Sequence, residues 1–141
     1  MRPLQRALVL SAALLVAAAC GKDTPTERTP NAVAGRYRLV SYQGKPLPVR
    51  TSPNDATVEI AGGSIELRED LTFAHTDSLV WHFSNGDMMD VVVMPGTYVV
   101  SGQTIQFTAG VGDRPRQYFQ GTLTGRSLTF SIYDSEYGYQ R

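Results

Sequence analysis

His75, Asp77, Trp81 and Asp90 are the residues of this 141-residue chain whose types and spacing suggest a binding site. If the segment is extended, His75, Asp77 and Trp81 share one face, because side chains two residues apart point to the same side of a strand. A carboxylate beside an imidazole can form a pair that offsets the cost of burial. The pattern predicts a polar anchor for a ligand. The simpler interpretation, which we prefer, is that these groups meet water at an open end of the fold.

The other chemistry-bearing residues form no catalytic or metal-binding pattern. The only other histidine, His82, is seven residues from His75, and an odd separation on a strand places two side chains on opposite faces. The sequence has one cysteine, no phosphate-binding glycine loop and no Gly-x-Ser-x-Gly element. We therefore expect no catalytic residues, no metal, no cofactor and no enzymatic activity.

Cys20 is that single cysteine, and it ends a segment typical of an export signal. Arg2 and Arg6 give the segment a positive start, residues 7–16 are apolar but short for a membrane span, and three alanines precede Cys20. With Gly21, the segment resembles the lipobox of bacterial lipoproteins, which implies cleavage before Cys20 and a lipid on its sulfur. The alternative is an ordinary secretory signal, but an unpaired thiol in an oxidising compartment argues against it.

The chain divides into three parts on composition. Residues 1–19 are predicted as the signal peptide, 20–34 as a lipidated flexible linker rich in threonine and proline, and 35–141 as one domain. Loss of 1–19 removes two of the 13 basic residues and none of the 13 acidic ones, so the mature chain is slightly acidic. It has no basic patch for nucleic acid. Gly21 directly after Cys20 favours sorting of the lipoprotein to the outer membrane if the host has two membranes.

Short β-rich runs separated by Gly, Pro and Asn fill the domain, and three of them share one pattern (residues 60–67, 100–107 and 123–130). Each pattern predicts a two-residue hairpin turn, because folding it there collects the apolar side chains on one face. A fourth turn is expected from an Asn-Gly pair. The predicted turns are Gly62–Gly63, Asn85–Gly86, Gly102–Gln103 and Gly125–Arg126.

The strand over 71–83 carries His75, Asp77 and Trp81, and its hairpin partner places Asp90 on the same face. Together the runs predict an all-β, antiparallel, up-and-down meander of about eight to ten strands with one apolar face. Closing the meander into a barrel hides its edges.

With these strands and turns, the sequence resembles the short bacterial lipocalin-like lipoproteins. The resemblance is carried by residues 35–40 leading into 44–48, by the hairpins 96–107 and 121–130, and by the closing residues 137–141. Gly35-x-Tyr37 is similar to the Gly-x-Trp of lipocalin first strands. Arg141 is similar to the basic residue that packs over that aromatic ring from the last strand. The resemblance implies that Tyr37 and Arg141 close the barrel.

The expected function is that of a cell-envelope lipoprotein, anchored on the extracytoplasmic side by Cys20, whose lipocalin-like barrel binds a small apolar or amphipathic ligand. The alternative is a structural or protein-interaction module, such as an envelope chaperone or inhibitor, whose barrel is filled. The hairpin around Asn85–Gly86 supports this alternative, because Val80, Val91 and Val93 are apolar on its outward face as well. An open cavity of roughly 300 Å³ or more favours the carrier, and a barrel filled by side chains favours the interaction module. The identity of any protein partner does not follow from the sequence.

Overall fold

The computed structural model describes residues 30–52, 57–110 and 115–141. The predicted signal peptide, Cys20 and the linker up to residue 29 lie outside the described residues. One helical turn, α1, covers Pro30–Val33. The strands are β1 (Gly35–Tyr42), β2 (Lys45–Pro46), β3 (Val49–Thr51), β4 (Thr57–Leu67), β5 (Thr72–Phe83), β6 (Gly86–Ser101), β7 (Thr104–Ala109), β8 (Gln117–Thr124), β9 (Ser127–Ile132) and β10 (Ser135–Gln140).

The strands form an antiparallel sheet that closes on itself. Neighbours along the chain from β4 to β10 pair in sequence, and β1 completes the ring by pairing with both β4 and β10. β2 and β3 lie outside this ring, on β1 and β4 respectively. The prediction of an all-β, up-and-down barrel is therefore confirmed, with eight strands in the ring and two short additional ones.

The first and last strands meet where the sequence predicts closure. Leu39 pairs with Tyr139, and the guanidinium of Arg141 lies 5.9 Å from the centroid of the Tyr37 ring. The Tyr37 hydroxyl donates a hydrogen bond to the carbonyl of Val33, at 2.8 Å. Val33 is buried although it belongs to the predicted linker, so the last residues of that segment are part of the folded domain.

Two of the four predicted turns are confirmed at the residues predicted for them. Gly102 and Gly125 each have a φ of +60°, which lets them occupy the first position of the turns between β6 and β7 and between β8 and β9. The Asn85–Gly86 turn is displaced by one residue, because Phe83 pairs with Gly86 and the turn residues are Ser84–Asn85. This displacement shifts the pairing by two residues and leaves each side chain on its predicted face.

The remaining predicted turn, at Gly62–Gly63, is wrong. β4 runs straight through both glycines and pairs with β5 along its length, with an irregularity between Ile60 and Gly62. Glycine is required at Gly63 because a Cβ there would lie 2.6 Å from the Thr76 carbonyl oxygen. The two glycines thus allow a close backbone approach inside one long strand and do not form a turn.

No helix in the described parts of the chain is both long enough and apolar enough to cross a membrane.

Candidate functional site

The predicted anchor pair lies inside the barrel. His75 is buried, and its Nε2 lies 3.1 Å from Oδ1 of Asp77, whose side chain is also largely buried. The imidazole meets the rings of Tyr137 and Phe130 edge-on, with centroids 5.3 and 5.7 Å away. Neither Nε2 nor Oδ1 has hydrogen-bond geometry with any described group, so the pair is close but poorly aligned.

Aromatic side chains fill the space next to this pair. Phe107 stacks on Phe119 at 4.7 Å, and Phe73 meets Phe107 edge-on at 5.1 Å. Phe130 stacks on Tyr139 at 5.2 Å. Because these rings lie at contact distance from one another, this part of the barrel interior is a packed core.

Two tyrosines of β10 surround the Asp77 carboxylate. Burial raises the pKa of both the Tyr137 and the Tyr139 phenols far above the ordinary value, and the negative charge of Asp77 raises them further. The Tyr139 hydroxyl has no hydrogen-bond partner among the described residues. These phenols therefore stay neutral over the whole physiological pH range and do not act as bases.

The other two predicted site residues, Trp81 and Asp90, are not part of the His75–Asp77 pair. Trp81 is four residues further along β5 than Asp77, or about 13 Å at the rise of a strand. Asp90 is exposed and pairs with Leu79 across the β5–β6 hairpin. The structure therefore places the four residues on one face of the hairpin, as the sequence predicts, but spreads them from the barrel interior to an exposed strand.

The two histidines lie on opposite faces, also as predicted. The His82 ring contacts Asp87 at 2.9 Å and Glu59 at 3.7 Å on the outer face of the hairpin. Arg50 donates a hydrogen bond to Glu59, and this bond lowers the pKa of the Glu59 carboxyl. His82 thus belongs to a surface charge network that is separate from the His75–Asp77 pair.

A second candidate site is the free edge of β6, which belongs to the hairpin that the sequence marks by its outward valines but whose lack of a second partner strand the sequence does not predict. β5 pairs with β6 from Phe83–Gly86 onwards, but β7 pairs with β6 only from Gly96 to Ser101. Within the described residues, no strand pairs with the other side of residues 86–94. We call this segment the open edge.

The hydrogen-bonding groups of the open edge alternate between two directions. Because the hairpin turns through two residues, Phe83 and Gly86 form a hydrogen-bonded pair, and every second residue of β6 from Gly86 bonds to β5. The intervening residues Met89, Val91 and Val93 direct their N–H and C=O groups outwards. Further along, the Pro95 carbonyl follows the same alternation and accepts a hydrogen bond from the Gly110 N–H, on the side away from β5.

The open edge is also apolar. The large side chains of Met88, Met89, Val91, Val92 and Val93 are between 46 and 80 % exposed, on both faces of the strand. Phe83, at the tip of β5, is exposed beside them. Six of the eleven large apolar side chains that are exposed in the described parts of the chain therefore cluster on this one hairpin. A cluster of this kind makes the hairpin a candidate interaction surface.

A groove runs from the open edge across the mouth of the barrel. Its volume is about 530 Å³. Its floor and walls come from the end of the open edge, from the start of β8 and from the turn before β10, and they are lined by Val92, Val93, Met94, Pro95, Ala109, Gly110, Pro115, Gln117 and Tyr133. The groove extends the apolar surface beyond the strand itself.

The stretch of sequence that contains the open edge carries acidic side chains without lysine or arginine. From Glu69 to Asp113 the sequence contains six acidic residues and no lysine or arginine. Two of the acids, Asp87 and Asp90, lie on the open edge itself, and Oδ1 of Asp90 accepts a hydrogen bond from the Val91 N–H at 2.8 Å.

Comparison of the chain with models of protein families, with curated protein sequences and with solved structures finds no significant match.

Proposed function

We propose that this chain is a lipid-anchored protein-interaction module of the cell envelope, which binds a partner protein at the open edge of β6. The observation that carries the proposal is an apolar strand, residues 86–94, that pairs on one side only within the described parts of the chain. Proteins normally cover, charge or shorten such an edge, because it pairs readily with other chains. An edge left long and apolar is therefore best explained by a partner that covers it.

The packed interior supports this function over that of a carrier. A carrier needs an enclosed volume for its ligand, whereas rings such as those of Phe107 and Phe119 occupy the described interior at stacking distance. The methionines of the edge suit protein binding, because an unbranched thioether side chain adapts to different partner surfaces. No enzymatic role is proposed, since the buried polar groups among the described residues, such as His75 and Asp77, form no nucleophile–base arrangement.

The direction of the hairpin suits an anchored protein. The chain enters the barrel at Gly35, which pairs with Leu67, next to the Phe73 end of β5. The hairpin tip after Phe83 is ten residues away along β5, or roughly 33 Å at the rise of a strand. With a lipid on Cys20, the open edge would face away from the membrane, on the extracytoplasmic side, where a partner can reach it.

Binding of a small ligand is a second candidate, and one observation favours it. His75 Nε2, Asp77 Oδ1 and the Tyr139 hydroxyl are buried without hydrogen-bond partners among the described residues. Such groups are costly to bury, and an amphipathic ligand with a polar head would satisfy them. Native mass spectrometry of protein extracted from its own membrane tests this candidate, because a retained small molecule adds a discrete mass.

Site-specific photo-crosslinking in living cells tests the proposed function. A photoreactive phenylalanine at Met89, which is 80 % exposed on the open edge, is expected to capture a protein. The matched control is the same group at Tyr118, which is 73 % exposed on β8. Equal capture at the two positions, or no protein captured at Met89, would contradict the proposal.

A further inference from the structure

We infer that the occupant of the open edge is an extended segment of a partner protein that adds to the sheet as a strand and carries a lysine or arginine opposite Asp90. This inference rests on the proposed function and specifies the partner's chemistry. Its first support is the outward direction of the N–H and C=O groups of Met89 and Val93. These groups form the ladder that an added strand needs, and strand addition of this kind is a recurrent mode of peptide recognition.

Asp90 gives the inference its chemical specificity. Its carboxylate accepts a hydrogen bond from the Val91 N–H. This N–H is one of the outward donors in the middle of the open edge, so it is already engaged before a partner binds. An incoming strand must release that N–H to pair with it. A cationic side chain opposite Asp90 attracts the carboxylate away from the Val91 N–H and compensates its negative charge. An apolar side chain in that place leaves the carboxylate without a partner.

The same residue argues against a second copy of this chain as the occupant. Suppose that the open edges of two copies pair antiparallel near Val91, with the outward N–H and C=O groups of each edge bonded to the other. The two Asp90 side chains then lie on the same face of the new sheet, directly or diagonally opposite each other. Like charges in that arrangement are destabilising. Neither lysine nor arginine occurs between Glu69 and Asp113, so the edge of a second copy supplies no compensating cation.

The surroundings of the edge extend the preference for an apolar strand. Asp87 on the same segment already contacts the His82 ring, so the preference for a cation rests on Asp90. The groove near Val92 and Tyr133 continues past residue 94, where the open edge ends. An added strand with alternating apolar side chains would bury the exposed valines and place its end in the groove. The expected partner segment is thus extended, apolar on alternate positions and basic near its centre.

The experiment measures binding of a nine-residue peptide to the purified mature chain by fluorescence anisotropy. The probe alternates threonine and valine and has lysine at its centre. It is compared with the same peptide carrying norleucine in place of lysine and with one methylated on alternate backbone nitrogens. We expect the lysine peptide to bind about fivefold more tightly than the norleucine peptide, the upper range for an exposed ion pair. The methylated peptide is expected not to bind, because it has lost its donors.

Two pairs of variants locate the interaction. Val91→Pro removes the outward N–H without removing a bond to β5, and it is expected to abolish binding, whereas Val91→Ala keeps the N–H and the binding. Asp90→Ala is expected to erase the preference for lysine over norleucine, whereas Glu69→Ala, an exposed acid in the β4–β5 turn, keeps it. Hydrogen exchange of the wild-type protein is expected to slow at Met89, Val91 and Val93 when the lysine peptide binds.

Several outcomes overturn the inference. Equal binding of the methylated and unmethylated peptides excludes strand addition, and this comparison needs no variant to fold. A lysine preference that survives Asp90→Ala excludes the charge assignment. A concentration-dependent dimer that Val91→Pro abolishes identifies the occupant as a second copy. If the peptide fails to bind while Met89 still captures a protein in cells, strand addition is wrong and the interaction function stands. If both experiments fail, the proposed function fails with it.

Discussion

The guanidinium of Arg141 lies 5.9 Å from the centroid of the Tyr37 ring, so the last residue of the chain covers an aromatic ring of the first strand. A contact within about 6 Å has the geometry of a cation–π interaction. The backbone also holds Arg141 in place, because its N–H donates to the Arg126 carbonyl at 3.0 Å. Arg141 therefore contacts the closure of the barrel through both its side chain and its backbone.

Replacement of Arg141 tests this closure. Arg141→Ala is expected to lower the free energy of unfolding by about 1 kcal/mol, because it removes the cation over Tyr37. Urea unfolding followed by circular dichroism measures the change. Arg126→Ala, an exposed arginine in the β8–β9 turn, is the matched control and is expected to have little effect. Equal losses in the two variants would show that the ring contact contributes nothing specific.

Adjacent glycines in β4 provide a second prediction. A Cβ on Gly63 would lie 2.6 Å from the Thr76 carbonyl oxygen, whereas a Cβ on Gly62 meets nothing within 4 Å. Gly63→Ala is therefore expected to lower the free energy of unfolding by about 1–3 kcal/mol through overpacking, and Gly62→Ala to change it by less than about 0.5 kcal/mol. Thermal or urea denaturation of the two variants checks the difference. The reverse order of stability would mean that β4 and β5 do not approach as described.

The same glycines show why the alternation of residues predicted the core better than it predicted the turns. In β4 the pairing shifts between Ile60 and Gly62, so one extra residue changes which side the following side chains face. A two-residue hairpin at Gly62–Gly63 changes the alternation in the same way. Both arrangements bury Ile60 and Ile65, so the apolar pattern cannot distinguish a bulge within a strand from a turn between two strands.

The candidate site was predictable only in part. The faces of His75, Asp77 and Asp90 follow from the two-residue period of a strand, which the shifted turn did not disturb. The open edge does not follow from that period. Whether a strand covers residues 86–94 depends on the length of β7, which begins pairing with β6 only at Gly96. The extent of that pairing is a tertiary property that no local pattern contains.

Lipid attachment at Cys20 remains a prediction of the sequence. Cys20→Ser removes the only sulfur that can carry a thioether, and it is expected to leave an unlipidated precursor in the host. Metabolic labelling with a fatty-acid analogue, followed by membrane fractionation, measures the change. Ser11→Ala in the apolar part of the signal is the control and is expected to keep the label. Label retained by the Cys20→Ser protein would refute the lipoprotein interpretation.

The buried phenol of Tyr139 predicts how stability depends on alkaline pH. Burial and the Asp77 charge raise the pKa of Tyr139 in the folded protein, whereas in the unfolded chain it titrates near pH ~10. Above that pH the unfolded chain loses a proton that the folded protein keeps. The free energy of unfolding therefore keeps its full value, as far as this tyrosine is concerned, below pH ~10. Above that pH it falls by up to about 1.4 kcal/mol per pH unit for each such tyrosine.

Tyr139→Phe separates this effect from packing. The hydroxyl has no hydrogen-bond partner among the described residues, so its removal is expected to leave the free energy of unfolding at pH 7 unchanged or to raise it by up to about 1 kcal/mol. Above pH ~10 the variant is expected to lose stability less steeply than the wild type, because one of the phenols that titrate only on unfolding is gone. Tyr118→Phe, at a 73 % exposed position, is expected to retain the wild-type slope. Urea unfolding between pH 8 and 11 measures the slopes, and parallel curves for Tyr139→Phe and the wild type would show that this phenol is not held neutral by the fold.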